Sequence, residues 1–364
     1  MRFDQDVRLR DLFGISLPII QAPMAGAAFS DMVVAVSEAG GLGSLACAML
    51  TPVQIRQEVA LIRQKTSRPI NLNFFCHTPP AADSARDASW KRRLEPYYRE
   101  LGIDLAQASA SVNRGAFDAA VCDIVEDLVP EVVSFHFGLP NERLVGRVKS
   151  TGCRMISSAT TVSEARWLEE RGCDAIIAQG YEAGGHRGIF LETEVATQVG
   201  TMALVPQIVD AVKVPVIAAG GIADARGIAA AFVLGASGVQ LGTAYLFCPE
   251  AKISPTHRER LRTARDDETA LTNVFTGRPA RSIVNRLMRE LGPMATNTPE
   301  FPLASDAVMP LRQAAQAKTS DEFVPLWSGQ AARLSSELPA GELTRHLVAS
   351  ARELIARFCG HSAA

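Results

Sequence analysis

The 364-residue sequence contains no Cys-x-x-Cys pair, no run of five basic residues, and no unbroken apolar stretch of the ~18 residues that a membrane helix requires. Each absence removes a class of function. Seven cysteines (Cys47, Cys76, Cys122, Cys153, Cys173, Cys248 and Cys359) are scattered and odd in number, which argues for reduced thiols rather than a disulfide framework. Lys and Arg total 37 against 39 Asp and Glu, a formal net charge of −2, so no basic footprint exists for nucleic acid or an anionic membrane surface. There is no His-x-x-x-His spacing or carboxylate cluster, so no metal is expected, and no G-x-S-x-G elbow to suggest a serine hydrolase. The opening residues 1–11 are charged rather than apolar, unlike a secretory signal, and the expectation is a cytoplasmic protein.

What is present is ordinary for a soluble enzyme: 47% hydrophobic and 21% charged residues. Eight short apolar runs punctuate the first two-thirds of the chain, at 18–24, 41–46, 69–75, 132–138, 154–159, 175–180, 215–221 and 238–246. They are apolar nearly throughout rather than alternating, as parallel strands buried on both faces are. Helix starts lie between them. Thr51-Pro52-Val53-Gln54 and Thr161-Val162-Ser163-Glu164 have capping-box spacing, and Asp224 and Gly235 bracket a small-residue helix. Eight strands alternating with helices predict an α/β (β/α)8 TIM barrel, with an open doubly wound sheet as the alternative.

The predicted organisation is a barrel core over 1–250, a helical lid or substrate segment over 251–340, and a terminal helix at 341–364 that returns to the barrel. An insertion at 78–102 carries Trp90, Tyr97 and Tyr98, candidates for a pocket wall or for helix packing. Beyond residue 250 the strand signal stops, and helices are expected at 278–291, 304–317 and 342–358.

In a parallel barrel the chemistry sits at the C-terminal ends of the strands. Those ends are polar and glycine-rich here. Asn71 and Asn73 lie in the third strand, His136 in the fourth, and Ser157 and Ser158 in the fifth. Gly220-Gly221 after the seventh and Gln240-Leu241-Gly242-Thr243 in the eighth free backbone N–H groups to meet a phosphate monoester, the recurrent use of these loops. The stretch Gly41-Leu42-Gly43-Ser44-Leu45-Ala46 matches a dinucleotide fingerprint in letters only, since a helix precedes it and a strand follows.

Among six histidines, His136 at a strand end between Phe135 and Phe137 is the catalytic candidate. His186, in a glycine-rich loop beside Arg187, either lines the site or orients the loop. His77 fits a packing role better, and His257, His346 and His361 are expected on the surface.

Taken in order, Gln21-Ala22-Pro23-Met24-Ala25-Gly26, Asn71-Leu72-Asn73-Phe74-Phe75, Ser134-Phe135-His136-Phe137-Gly138, Gln179-Gly180 with Gly184-Gly185-His186-Arg187-Gly188, Gly220-Gly221 and Gln240 to Thr243 resemble the nitronate monooxygenases (2-nitropropane dioxygenases), class I branch. The resemblance runs over nearly the whole chain. It implies an FMN-containing barrel that oxidises alkyl nitronates, propionate 3-nitronate included, with O2 to a carbonyl product and nitrite through an anionic flavin semiquinone. By motif, Ala22, Pro23, Met24, Asn71, Gln179, Gly184, Gly220, Gly221, Gln240, Leu241, Gly242 and Thr243 would hold FMN. His136 would be catalytic, and Ser328-Gly329-Gln330 would approach the flavin. Two alternatives stay open: an NAD(P)H-dependent enoyl thioester or quinone reductase on the same barrel, and a flavin-binding protein without turnover. Nothing in the sequence sets an oligomeric state.

Overall fold

The computed structural model describes residues 6–104 and 115–358. A short helix α1 (Arg8–Phe13) precedes strand β1 (Ile19–Gln21). There follow α2 (Ser30–Glu38), β2 (Gly43–Ala46), α3 (Pro52–Lys65), β3 (Ile70–Phe75), α4 (Ser84–Leu101), α5 (Ala119–Leu128) and β4 (Val132–His136). Next come α6 (Glu142–Ser150), β5 (Arg154–Ala159), α7 (Val162–Glu170), β6 (Ala175–Gln179), a two-residue β7 (Gly185–His186), α8 (Thr201–Ala211) and β8 (Val216–Ala219). Helix α9 (Ala225–Val233), β9 (Gly238–Leu241) and the one-turn α10 (Thr243–Leu246) complete the alternation. The rest holds α11 (Pro255–Thr263), β10 (Thr269–Thr272), β11 (Ala280–Ile283), α12 (Arg286–Leu291), α13 (Ala304–Ala317) and α14 (Ala340–Phe358).

Eight strands pair in parallel in the order β1-β9-β8-β6-β5-β4-β3-β2. The two ends meet at an Ile20–Leu42 bridge, where Leu42 N–H donates to the Ile19 carbonyl at 2.9 Å and Gln21 N–H to the Leu42 carbonyl at 3.0 Å. The result is a (β/α)8 barrel, and each of the eight apolar runs holds one of its strands. Ile20, Leu42, Val132, Ile156, Ile177 and Ile217 fill the lower interior together with Leu9 and Phe13 of α1. A Cβ on Gly238, the first residue of β9, would strike Leu9, so α1 covers the N-terminal mouth.

Local signals set the helix starts. Thr51 and Gln54 form both bonds of the capping box. Asp224 caps α9 through the N–H groups of Arg226 and Gly227, and Gly235 ends that helix at φ +95°. The second expected box forms only in half. Thr161 accepts from Glu164 N–H at 3.1 Å, but the buried Glu164 carboxylate goes to Thr160 N–H (2.6 Å) and to Phe190 N–H (2.6 Å) instead. It ties the loop after β6 to the end of β5. Gly43 of the false dinucleotide motif is there for close packing, since a Cβ would run into the backbone of Val33 on α2.

Helix α14 packs against α9 and α2, filling the ring position after β9. Between β9 and α14, and over the C-terminal mouth, residues 251–335 form a roof. Its core joins α4 to α13: Trp90, Leu94, Tyr97 and Tyr98 pack with Leu311, Ala315 and Phe323, and Tyr98 Oη donates to the Ala307 carbonyl at 2.6 Å. The insertion aromatics therefore pack the roof onto α4 rather than line a pocket.

The roof also corrects the expectation of helix alone beyond residue 250. Strands β10 and β11 pair antiparallel, and β11 pairs with β7 through Ala280–His186 and Arg281–Gly185. Only the last part of the expected 278–291 helix exists, as α12. The first part is held extended by partners far away in sequence.

Candidate active site

A cavity of about 350 Å³ opens over the C-terminal strand ends, within the ~300–1,000 Å³ typical of ligand sites. Its floor brings together most of the expected residues: Ala22, Pro23 and Met24 after β1, His136 of β4, Gln179 of β6, Gly184 and His186 of the following loop, Gly220 and Gly221 after β8, and Gln240, Gly242 and Thr243 around the end of β9. Asn73 and Ser158 join them. Asn71 and Leu241 do not reach it. Asn71 is fully buried two residues below Asn73 on the same face of β3 and donates to Ser44 Oγ at 3.0 Å, while the Leu241 side chain packs in the barrel–helix core. Roof residues close the cavity from above, among them His257, Arg312 and Trp327.

His136 sits between two partners. Its Nε2 lies 3.1 Å from the His186 carbonyl oxygen and its Nδ1 3.1 Å from Ser158 Oγ. A carbonyl only accepts, so Nε2 carries the proton and, in the neutral ring, Nδ1 accepts from the Ser158 hydroxyl. Burial, with Arg278 and Arg187 adding repulsion, pushes the His136 pKa down to about 4. The ring is a neutral imidazole at physiological pH. The same His186 carbonyl accepts from Gln179 Nε2 at 3.0 Å, and Gln179 Oε1 accepts from Gly188 N–H at 2.7 Å.

The loop after β6 is pinned by two buried arginines. Arg187 donates to the carbonyls of Gly180 (2.6 Å) and Gln179 (2.8 Å), and Arg281 of β11 to that of Tyr181 at 3.0 Å. His186, left open between lining and orienting, does both. Its ring lines the cavity beside Phe301 and Trp327 and bonds Thr276 Oγ1 at 3.0 Å, while its carbonyl orients His136.

Packing against Phe137 and Phe301 accounts for His77. His346 is exposed, and His361 lies outside the described residues. His257 departs from expectation: it is buried, lines the cavity, holds the Trp327 carbonyl at 3.2 Å, and burial pushes its pKa down to about 4. Sequence gave no sign of this, because its helix α11 is rich in arginine and reads as a surface helix.

Two features show what the cavity suits. Gly220 and Gly221 adopt φ of +105° and +68°, which ordinary side chains avoid, and a Cβ on Gly184 would collide with Gly329. These glycines leave bare backbone facing the cavity. The Gln240 Oε1 atom is buried without a hydrogen-bond partner, which a ligand N–H or hydroxyl would satisfy. Among the described lining residues there is no Asp or Glu, while Lys252 and Arg312 supply positive charge. The region is fitted to an anionic, hydrogen-bonding organic molecule.

A glycine-lined cavity over the mouth of a parallel barrel marks a cofactor-binding enzyme. Comparison with known proteins narrows the class: residues 6–350 match the family description "Nitronate monooxygenase". The chain is 41% identical to a nitronate monooxygenase of Pseudomonas aeruginosa, over 95% of this chain and 99% of that one. Among solved structures it superposes on a nitroalkane oxidase from Streptomyces ansochromogenes with a TM-score of 0.89 at 37% identity, covering 96% and 99% of the two chains. It superposes on FabK from Thermotoga maritima with a TM-score of 0.75 at 28% identity, covering 98% and 99%. The chain belongs to the nitronate monooxygenase family of flavin-dependent enzymes. Among the described residues no helix is long and apolar enough to cross a membrane, and no group of His, Cys, Asp and Glu is placed to hold a metal.

Proposed function

We propose that the protein is an FMN-dependent nitronate monooxygenase that oxidises alkyl nitronates, propionate 3-nitronate among them, with O2 to a carbonyl product and nitrite. The observation that carries this is a cavity without carboxylates that holds a neutral histidine among bare glycine backbones. An anionic substrate beside an anionic cofactor needs surroundings that do not repel it.

Gly220, Gly221, Gly242 and Thr243 would hold the FMN phosphate, and Gln240 would bond its polar chain or ring through the unpartnered Oε1. Ala22, Pro23, Met24, Gln179 and Gly184 would border the ring. Bound there, FMN would supply the electron-accepting chemistry. The protein supplies position and electrostatics. A nitronate already has its carbon deprotonated, so His136 is needed to orient it and to balance negative charge. Toward a neutral nitroalkane, His136 would act as base at Nδ1 once the Ser158 side chain turns away about its Cα–Cβ bond.

The test is steady-state oxygen uptake with propionate 3-nitronate and simple alkyl nitronates, with nitrite measured in parallel, on protein whose released cofactor is identified by chromatography. Nitronate-dependent O2 consumption with FMN supports the proposal. NAD(P)H oxidation without any nitronate turnover would assign the protein to the reductases on this barrel, and FAD in place of FMN would refute the cofactor assignment.

A further inference from the structure

We infer that Arg312, on the roof helix α13, selects substrates that carry a carboxylate in addition to the nitronate. This rests on the function proposed above.

The cavity wall has two cationic side chains among the described residues, Lys252 and Arg312. Lys252 is exposed and lies 3.9 Å from Asp31. Arg312 has neither a hydrogen bond nor an ion pair among the described residues, although burial is strong enough to lower its pKa. A half-buried arginine with no partner gives up hydration without compensation, whereas the buried Arg187 and Arg281 are each bonded to backbone carbonyls. An unpaired guanidinium that lines a ligand cavity has the form of a receptor for an oxyanion.

Which oxyanion follows from position. The cofactor phosphate already has a cradle on the floor, at Gly220–Gly221 and Gly242–Thr243, where backbone is bare. Arg312 belongs to the roof and shares its part of the wall with Gln316, Val324, Pro325 and Trp327. A substrate seated at the floor beside His136 would share the cavity with this wall. Burial holds the neighbouring His257 imidazole neutral, with Arg258 and Arg312 adding smaller repulsions, so the histidine does not compete for the anion as a second cation. A nitronate whose chain ends in a carboxylate would place one negative group at the floor and the other at Arg312.

The test uses the FMN-loaded enzyme and its Arg312→Gln and Arg312→Lys variants. The substrates are propionate 3-nitronate and propyl nitronate, which is similar in length but lacks the carboxylate. Binding is read separately by the rise in melting temperature with succinate, which presents two anionic ends, and with butyrate, which presents one. Arg312→Gln should raise KM for propionate 3-nitronate roughly 10- to 100-fold, the effect of losing a charged hydrogen-bond partner. It should leave kcat, FMN content and propyl nitronate kinetics little changed and abolish the succinate shift, while Arg312→Lys should recover part of the lost affinity. With no ligand, Arg312→Gln should melt no lower than the wild type, because no internal bond is lost. Equal losses on both substrates, no loss on either, or loss of FMN would each overturn the inference, the last by assigning Arg312 to the cofactor phosphate. If the wild type oxidises no nitronate at all, the function proposal fails, and the succinate comparison still decides the role of Arg312.

Discussion

The imidazole Nε2 of His136 and the main-chain oxygen of His186 are 3.1 Å apart, so the position of one histidine's backbone fixes the proton of the other's ring. That contact leaves Nδ1 as the basic nitrogen, masked by Ser158, while burial keeps the ring neutral. A base arranged this way matters for substrates that must lose a proton and much less for those that arrive without it. His136→Asn should therefore abolish most activity on a neutral nitroalkane, by about 10²–10⁴-fold, and reduce nitronate oxidation far less. Rates compared at equal flavin content and similar melting temperature check this. Equal losses on both would assign His136 to positioning alone, and full activity on both would remove it from the site.

Gly188 supports the same pair from below. A Cβ there would lie 2.9 Å from Ser158 Cβ and 3.1 Å from His136 Cε1, too close for either to stay in place. Gly188→Ala should shift both side chains and lower kcat at least tenfold, roughly the effect of losing 1.4 kcal/mol of correct positioning. Its FMN should remain bound, since the cradle lies on other strands. An unchanged kcat would mean that the His136–Ser158 contact is not needed in catalysis.

Gly221 allows charge and backbone strain to be separated. Its φ of +68° is a region that Asn tolerates better than most residues. Gly221→Asn should weaken FMN binding modestly. Gly221→Asp, equal in shape but negative, should weaken it much further, and the same pair of variants in a Glu182→Gln background, which removes the carboxylate that a Cβ at 221 would face, separates phosphate repulsion from repulsion by Glu182. Flavin dissociation constants from fluorescence titration decide the matter, and equal constants for the two variants would put the phosphate elsewhere.

Acid should loosen the fold through buried histidines. His136 and His257 fall to about 4 from an ordinary 6.5, so between these values the unfolded chain binds protons that the folded chain refuses. Their contribution is fully present above about pH 6.5 and is lost as pH falls toward 4. Melting temperature should decline across that window, and His257→Gln should flatten the decline. A variant slope as steep as the wild type's would show that His257 titrates normally.

The floor of the site was legible in the sequence because each barrel strand is buried on both faces and reads as an apolar run, broken where polar or glycine residues reach the cavity. His136, Gln179, Gly184 and Gly220–Gly221 announce themselves in that way. Asn71 did not separate from Asn73, since both alternate onto the inward face and only depth distinguishes them. Of the roof, helix α13 was legible at its full extent and the rest was not. Residues Ala280–Ile283 carry no strand pattern of their own and are extended because β10 pairs with all four on one side and Gly185 and His186, nearly a hundred residues away, with two of them on the other. His257 on α11 and Arg312 on α13 share a cavity wall with Trp327 and Val324, a grouping that the pattern of neither helix encodes.

The roof interrupts the chain between the last barrel strand and the helix that completes the ring, so both of its attachments are at one corner of the barrel. Changes on the outer side of the roof leave the barrel registers untouched, whereas changes at β11 reach β7 and the loop after β6. Floor and roof are thus joined at one seam, where β11 pairs with β7 and the His186 carbonyl carried there orients His136. A segment exchanged between family members has to bring residues 180–188 together with 251–335 to keep that seam.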